Sequence, residues 1–367
     1  MLTSLDETLF HQYPGTFAMV STSDHRFFDR YWFCGADPTG RTAFFAGLGR
    51  YANMGTRDGF LSVLKGTTQY NLRVATQPSG IGDVSGSSPM CIDAGPLKVE
   101  VVRPFREIEF SLDAPDSPVT GRLRFRSHME PHLEHHHREM SGARILQDQQ
   151  RYVQVGRWDG WIAVEGRREQ VSGWWGDRDH SWGVRVDVGG LEPRDMSRRV
   201  SSFTIWCSFS TASRYGMFQF REYADGRPRY IDGTVHSAGG SEPVRVVGIE
   251  HEVDFFEGTK IYREVRVRLR LADGSVAEVH AEPLTERGWA ARGGGYSRGF
   301  NDQKGFGARR GDVVEYDVYH LPDPETVLLN GSPIHAGHRE QLVRLTFDGE
   351  PGDGHMTVMV RSGELPA

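Results

Sequence analysis

Residues 173–185 read Gly-Trp-Trp-Gly-Asp-Arg-Asp-His-Ser-Trp-Gly-Val-Arg, so charged and aromatic side chains are closely mixed. Five of the eight tryptophans of the chain lie between Trp158 and Trp182. A surface loop seldom carries so much apolar ring area, and a core strand seldom carries so many charges, because an unpaired buried charge is costly. The combination is typical of a cavity wall that holds a few acid–base groups among apolar side chains.

Runs of alternating polar and apolar residues lie on both sides of this stretch. They are clearest at residues 98–103, 122–126, 265–271, 342–347 and 356–361. Such alternation predicts half-buried strands. Many short strands of this kind are typical of antiparallel barrels and sandwiches, so we predict an all-β fold.

Turn signals separate the predicted strands, since Asp-Gly and Asn-Gly pairs supply the positive φ angles of tight hairpins. Such pairs occur at 58–59, 159–160, 225–226, 232–233, 273–274 and 330–331. Helical periodicity is scarce, and residues 134–149 are the best candidate for a helix. The polar stretch 187–199 is the best candidate for a linker between two β domains, which we place at residues 1–190 and 200–367.

Composition excludes several classes of protein. The net charge of −6 argues against general nucleic-acid binding, and no stretch approaches the length of a membrane span. Residues 1–8 show no basic segment followed by an apolar run, so we expect no secretory signal and a cytoplasmic protein. The three isolated cysteines fit neither a disulfide framework nor a metal site.

The segment 176–183, Gly-Asp-Arg-Asp-His-Ser-Trp-Gly, resembles the signature of the carotenoid 1,2-hydratase (hydroxyneurosporene synthase) and AttH-like family. Tyr152, Gln154 and Gly156 are similar to the strand that precedes it in that family. The resemblance implies two lipocalin-like β-barrel or sandwich domains packed side by side, with a ligand cavity near their junction. The hydratases carry a downstream Tyr-x-Asp, which residues 203–209 lack, so the resemblance supports the fold better than the reaction.

Alternate residues of an extended strand face opposite sides. Asp177, Asp179 and Ser181 would share one face, and Arg178, His180 and Trp182 the other. We expect the second face to line the cavity, where a histidine near neutrality transfers protons. The catalytic candidates are Asp179, His180, Asp177 and Arg178, and the substrate-binding candidates are Trp175, Trp182, Arg185, Trp206 and Phe203.

These candidates favour a lyase or isomerase that needs no cofactor and acts by acid–base chemistry. Hydration, dehydration or cyclisation of an apolar terpenoid, steroid or polyketide-like substrate would fit. We expect a small apolar molecule as partner, with no nucleic acid and no stable membrane insertion, and a homodimer is possible. Alternatively, Asp177 and Asp179 form a structural ion-pair network with the neighbouring arginines.

Two other functions remain open. A lipocalin-like protein can be a carrier that binds a hydrophobic ligand without changing it. A metal hydrolase would use the histidines of residues 128–137, although Pro131 interrupts that segment and we expect no metal there. The glycine-rich residues 293–299 match the Gly-x-Ser-x-Gly pattern at Ser297 but lack the strand and helix of a nucleophile elbow. We expect them to form a loop at the cavity mouth instead.

Overall fold

The computed structural model describes residues 9, 14–17, 19–77, 90–114, 117–190, 203–240 and 242–360. Within these ranges the chain forms twenty-four strands and two short 3-10 helices, Ala52–Met54 and Ala291–Gly294. The prediction of an all-β fold is confirmed. Of the described residues, no helical segment has the length and apolar character needed to cross a membrane.

The first sheet contains fifteen antiparallel strands. They are β1 (Phe27–Ala36), β2 (Thr42–Tyr51), β3 (Thr56–Lys65), β4 (Thr68–Thr76), β5 (Cys91–Ala94), β6 (Leu97–Arg103), β7 (Glu107–Leu112), β8 (Val119–Ser127), β9 (His132–Leu133), β10 (His137–Ser141), β11 (Arg144–Val164), β12 (Arg167–Val184), β20 (Val313–His320), β21 (Leu328–Leu329) and β22 (Ser332–Pro333). Their order is β22-β21-β20-β4-β3-β2-β1-β12-β11-β8-β7-β6-β5, and β9 and β10 also pair with β11.

The second sheet is a closed barrel of eight strands with one short strand attached. Its strands are β13 (Phe203–Thr211), β14 (Arg214–Glu222), β15 (Pro228–Ser237), β16 (Val244–Phe255), β17 (Tyr262–Leu271), β18 (Val276–Pro283), β23 (Arg339–Phe347) and β24 (Glu350–Val360), and the attached strand is β19 (Trp289–Ala290). Pairing of β18 with β23 closes the barrel. A buried apolar cluster that includes Ile205, Phe218 and Val265 fills the barrel interior.

The predicted alternation appears directly in the burial of β17. Val265, Val267 and Leu269 are buried in the barrel, whereas Arg266 and Arg268 are exposed. One period-two pattern therefore supplies an apolar inner face and a charged outer face. The predicted turns at 225–226, 273–274 and 330–331 are also present, with positive φ at each glycine.

Three Asp-Gly pairs that we expected in turns lie inside strands instead. Residues 58–59 belong to β3, residues 159–160 to β11 and residues 232–233 to β15. Asp58 and Asp232 are buried there and accept hydrogen bonds. The glycine in each pair has no side chain, so a neighbouring strand can approach closely. An Asp-Gly pair can therefore mark close packing within a strand as well as a turn.

The expected helix at residues 134–149 is wrong. Its residues form β10 and the start of β11, which pair as a hairpin. Gly142 has a φ of 59° between these strands and makes the tight turn possible. The polar face of the segment, including Gln147 and Gln149, faces the barrel rather than solvent, so its pattern is that of a strand with a polar buried side.

The two sheets are interlocked along the chain. After β18 and β19 of the barrel, β20 pairs with β4, and β21 and β22 extend the first sheet beyond it. The chain then returns to the barrel at β23. The expected linker at 187–199 is described only to residue 190. The domain division at 190 and 200 therefore stays a prediction.

Gly176 on β12 is required by a close approach of neighbouring groups. A Cβ atom there would lie 2.1 Å from the Cys34 carbonyl oxygen and 2.4 Å from the Trp158 Nε1 atom. Gly176→Ala is expected to lower the free energy of unfolding by about 1–3 kcal/mol, because backbone and ring must move apart. Denaturant unfolding measures this loss.

The matched control is Gly239→Ala, since nothing lies within 4 Å of a Cβ at that exposed position. Its free energy of unfolding should stay within about 0.5 kcal/mol of the wild-type value. Equal effects of the two substitutions would contradict the close approach at Gly176.

Candidate active site

A cavity of about 260 Å³ lies where β1, β11 and β12 of the first sheet face β13, β14, β23 and β24 of the barrel. We call it the junction cavity. Its wall mixes aromatic and charged side chains, among them Trp32, Trp206, Tyr296, Phe306, Arg30, Arg151, Arg185, Arg221, Asp179, Glu340 and His355. The volume lies just below the usual range for small-molecule sites, about 300–1,000 Å³.

The central strand β12 presents one face of the 173–185 stretch to this cavity. Asp179 and Ser181 line it, and Asp177 lies deeper on the same face, within hydrogen-bond reach of His355. The alternation of faces that the sequence predicted is therefore present. The face that lines the cavity, however, is the one opposite to our expectation.

His180 and its neighbours occupy the other side of β12. The His180 Nε2 atom lies 2.6 Å from an Asp29 carboxylate oxygen, and its ring packs against Tyr31, Tyr152 and Trp182 at centroid distances of 4.5–5.4 Å. Arg178 is buried on this side too and donates to the Tyr152 hydroxyl. None of Arg178, His180 and Trp182 is among the side chains that line the junction cavity.

Asp179 is the acidic group best placed for chemistry. Part of its surface is open to the cavity, while the surrounding protein keeps most water away from its carboxyl group. Burial raises the pKa of Asp179 to about 6, with the carboxylates of Glu134 and Asp177 acting in the same direction and Arg151 against them. A carboxyl group with such a pKa holds and releases a proton near neutrality.

The barrel contributes a buried charge cluster that sequence reasoning missed. The Nδ1 atom of His355 on β24 lies 3.2 Å from a carboxylate oxygen of Asp177, and its Nε2 atom lies 3.0 Å from a carboxylate oxygen of Glu340. Burial alone would lower the pKa of His355, but the two carboxylates raise it to about 9. His355 is therefore an imidazolium at neutral pH, stacked on Trp32 at a centroid distance of 4.9 Å.

Asp177 is held in place by three partners. Its carboxylate accepts hydrogen bonds from the Ser208 hydroxyl at 2.5 Å and the Cys34 thiol at 2.8 Å, in addition to His355. The side chain is fully buried. Asp177 thus joins the first sheet to the barrel, which agrees with the structural role that the sequence left open for it.

Cys34, Asp177 and His355 place potential metal ligands within 4.8 Å of one another. Burial raises the pKa of the Cys34 thiol well above its ordinary value, and the two carboxylates beside His355 favour its protonated form. A metal ion would have to displace both protons, so this triad favours hydrogen bonding over metal binding at neutral pH.

The histidines of residues 128–137 contact carboxylates of several different elements. His136 lies 2.6 Å from Asp148, His132 lies 3.4 Å from Asp232, and His137 lies 2.7 Å from Glu134. They belong to neither of the ligand clusters found among the described residues. The arrangement fastens this segment to β11 and β15 and gives no support to a metal hydrolase.

Glu134 of this segment also anchors the wall of the cavity. It accepts hydrogen bonds from Trp206 Nε1 at 3.0 Å and from Arg151 Nε at 2.7 Å. Burial opposes its charge, but Arg151 and His137 hold the pKa of Glu134 well below its ordinary value. Trp206 is therefore held rigidly over the cavity, with Arg151 5.4 Å from its ring centre.

The remaining candidates separate into two groups. Arg185 and Trp206 line the cavity, so they stay candidates for substrate binding. Trp175 instead lies between the two sheets and donates to the Ser210 hydroxyl at 2.9 Å, and Phe203 is buried in the barrel against His251. These two side chains stabilise the structure beneath the site.

The glycine-rich loop closes one side of the junction cavity. Tyr296 and Ser297 line it directly. Ser297 follows a 3-10 helix rather than a strand, and its φ of 50° is a left-handed conformation that is unusual for a serine. The loop therefore forms part of the wall, and its context differs from that of a nucleophile elbow.

A sequence family matches almost the whole chain. The profile described as "Family of unknown function (DUF8625)" covers residues 2–360. The chain belongs to this family. No curated protein sequence matches it.

Solved structures share the fold across both halves of this DUF8625 protein. A Nitrosomonas europaea protein provisionally described as AttH has a TM-score of 0.57 at 14% identity, covering 91% of this chain and 92% of its own. CghA, determined with Sch210972, has a TM-score of 0.50 at 10% identity, covering 93% and 90%. Kievitone hydratase from Nectria haematococca is more distant, with a TM-score of 0.44 at 8% identity, covering 90% and 88%. The first two likenesses show that the fold is that of AttH-like two-domain proteins.

The buried charge cluster predicts a pH dependence of stability. The raised pKa of His355, about 9 against an ordinary 6.5, means that the folded state binds its proton more tightly than the unfolded state. This stabilisation is complete below pH 6.5 and is lost as the pH rises through 9. The free energy of unfolding should fall by up to about 3 kcal/mol across this window.

Urea unfolding at several pH values between 6.5 and 9 measures how steeply the free energy of unfolding falls with pH. The raised pKa of Asp179 changes the free energy of unfolding only between pH 3.8, its ordinary pKa, and about pH 6. It therefore does not contribute to the slope between pH 6.5 and 9. His355→Gln should flatten the slope. A slope that the substitution leaves unchanged would contradict the assignment to His355.

Proposed function

We propose that this protein is a lyase or isomerase that needs no cofactor and performs acid–base chemistry in the junction cavity. The observation that carries the proposal is the placement of Asp179. A carboxyl group with a pKa of about 6 opens into a cavity whose wall also carries aromatic rings from both sheets. Such a group serves as an acid toward a carbon–carbon double bond or as a base toward a C–H bond next to a carbonyl.

The rings favour a reaction in which positive charge develops on the substrate. Trp32 belongs to the first sheet and Trp206 to the barrel, and both line the cavity. Aromatic faces attract cations when they are shielded from water. A substrate between the two sheets would therefore contact Asp179 and Trp32 on one side and Trp206 on the other, and the ring faces would stabilise a carbocation.

The proposed hydration balances in protons and electrons. The Asp179 carboxyl transfers its proton to one alkene carbon, and the π electrons form the new C–H bond, leaving a cation on the other carbon. A water molecule adds to that cation and returns a proton to the carboxylate. Without water, the carboxylate takes a proton from a neighbouring carbon, and the result is isomerisation.

The comparisons support a ligand-binding role for this fold. The CghA structure was determined with Sch210972. Because identities near 10% transfer the fold alone, the assignment to acid–base chemistry rests on Asp179 and the cavity. We retain Asp179 as the catalytic candidate, and we assign His180 and Arg178 to the support of β12 because both face away from the cavity.

The test follows deuterium from solvent into small molecules. Wild-type protein and Asp179→Asn are incubated in D₂O with terpenoid and polyketide alkenes and with any compound that co-purifies. Mass spectrometry then detects addition of D₂O or exchange of a proton for a deuteron. We expect label in at least one compound with the wild-type protein and none above background with Asp179→Asn.

A carrier gives the opposite result in the same experiment. A co-purified or added compound would bind stoichiometrically and be recovered unchanged and unlabelled after long incubation. That outcome would contradict the proposed enzyme and support the binding protein. Among the described residues, apolar side chains fill the barrel interior, so we assign such a ligand to the junction cavity.

A further inference from the structure

Arg30 is a buried arginine with unused hydrogen-bonding capacity at the junction cavity. The residue is only 4% exposed, and it lines the cavity. Its Nη1 atom lies 3.3 Å from the Tyr51 hydroxyl, whereas Nε and Nη2 are buried without a partner among the described residues. A buried donor left unpaired is costly, and a charged one especially so.

The surroundings of Arg30 fix its orientation and preserve its charge. The guanidinium carbon lies 4.5 Å from the ring centre of Phe306 and 5.0 Å from that of Tyr296. The Asp58 carboxylate is separated from it by Tyr51, whose hydroxyl donates to Asp58 at 2.9 Å. Burial works against the charge, but these tyrosines and Asp58 keep the pKa of Arg30 above its ordinary value.

Strand register places Arg30 beside the proposed acid. Arg30 on β1 and Arg151 on β11 are both paired with Ser181 on β12. Asp179 lies two positions along β12 on the same face. Because neighbouring strands are about 4.8 Å apart, the two arginines flank Ser181 on either side. Asp179 lies in the adjacent row on the same face, where it pairs with Trp32 and Val153. Arg151 is already paired with Glu134, so Arg30 is the arginine of the row that lacks an ion pair among the described residues.

We propose that the molecule bound in the junction cavity is an apolar compound with an anionic oxygen, such as a carboxylate, that pairs with the Arg30 guanidinium above Ser181. This inference rests on the proposed function and names the class of its substrate. The planar fork of an arginine matches two carboxylate oxygens, and the rings around it accommodate the apolar part. Pairing at Arg30 would hold the reacting carbon beside Asp179.

The side-chain oxygen of Gln149 also supports a ligand with a polar end. It lines the cavity and is buried without a donor among the described residues. Gln149 pairs with Gly183 in the next row of the sheet. Arg30 and Gln149 thus both carry buried polar atoms beside the cavity that have no partner among the described residues, and a hydrocarbon ligand would satisfy neither.

The test compares two probes with the same ring system by calorimetry. The probes are 2-naphthoate, which is anionic, and 2-naphthalenemethanol, which is neutral. We expect the full-length wild-type protein to bind 2-naphthoate at least about tenfold more tightly, in line with a charge-assisted pair. Arg30→Gln should remove this preference and leave binding of the alcohol within about twofold.

Control variants separate this inference from the proposed chemistry. Arg122→Gln removes an exposed arginine that is paired with Glu109 on the outer surface, and it should leave both affinities unchanged. Asp179→Asn should keep the preference for 2-naphthoate although it removes the proposed acid. Loss of turnover with intact anion preference would therefore separate the two roles.

Three results would overturn the inference. They are equal binding of the two probes to the wild-type protein, no binding of 2-naphthoate up to its solubility limit, and a preference that survives in Arg30→Gln. Thermal melting shows whether Arg30→Gln folds. If it does not, Arg30→Lys keeps the charge without the fork and should weaken 2-naphthoate binding several-fold, and an unchanged preference there would also overturn the inference.

Discussion

Asp179→Asn is expected to lower turnover of the labelled substrate by about 10²–10⁴-fold at pH 7, the usual contribution of a positioned acid or base. The amide has the shape of the carboxyl group but neither releases nor accepts the proton. Because the carboxylate is disfavoured in its enclosed position, the substitution should leave the melting temperature unchanged or raise it. Turnover assays and thermal melting of the same preparations measure both effects.

Asp29→Asn and His180→Gln are the controls for Asp179. Asp29 and His180 form a close pair on the opposite face of the same sheet, and the sequence alone indicated His180 as a catalytic candidate beside Asp179. We expect turnover within about threefold of wild type for both variants, since neither side chain lines the cavity. A loss of turnover in His180→Gln as large as that in Asp179→Asn would contradict the assignment of catalysis to the face of β12 that carries Asp179.

His355→Gln is expected to lower the free energy of unfolding by about 3–5 kcal/mol at pH 7. The substitution removes a buried cation and leaves Asp177 and Glu340 without it, and breaking one partner of a buried pair typically costs this much. His355 is only 3% exposed and its ring stacks on Trp32, so water cannot easily take the place of the imidazolium. Denaturant unfolding at constant pH gives the value.

His136→Gln is the matched control, because His136 forms a contact with a carboxylate that is even shorter, at 2.6 Å, but has a side chain 53% exposed. An exposed pair of this kind is worth at most about 1 kcal/mol. His355→Gln should therefore lower the free energy of unfolding several times more than His136→Gln does. Similar costs would contradict the view that the His355 cluster joins the two sheets.

The fold could be predicted because its signal is local. Alternation in β17 and the turn at 273–274 are readable from a few neighbouring residues, and both are found in the structure. The incorrect helix at 134–149 and the incorrect turn at 58–59 have a common cause. In each case polar residues are buried between packed strands, and a short window cannot distinguish that setting from an exposed one.

The site could be predicted only in part. The alternation of residues 177–182 correctly separated Asp179 from His180, but which face meets the barrel depends on the packing of distant elements. His355 and Glu340 carry no local motif, and His355 lies 178 positions after its partner Asp177. Arg30 likewise becomes visible as a candidate only when its unpaired atoms are seen beside the cavity.

The most direct test of the account is the titration of Asp179 itself. Side-chain carboxyl ¹³C signals of the wild-type protein are followed by NMR from acid to neutral pH, and the resonance absent from Asp179→Asn identifies the group. We predict a midpoint near 6, against the ordinary value of 3.8. A midpoint at the ordinary value would mean that Asp179 is fully ionised at neutral pH, and the proposed proton transfer in the junction cavity would lose its donor.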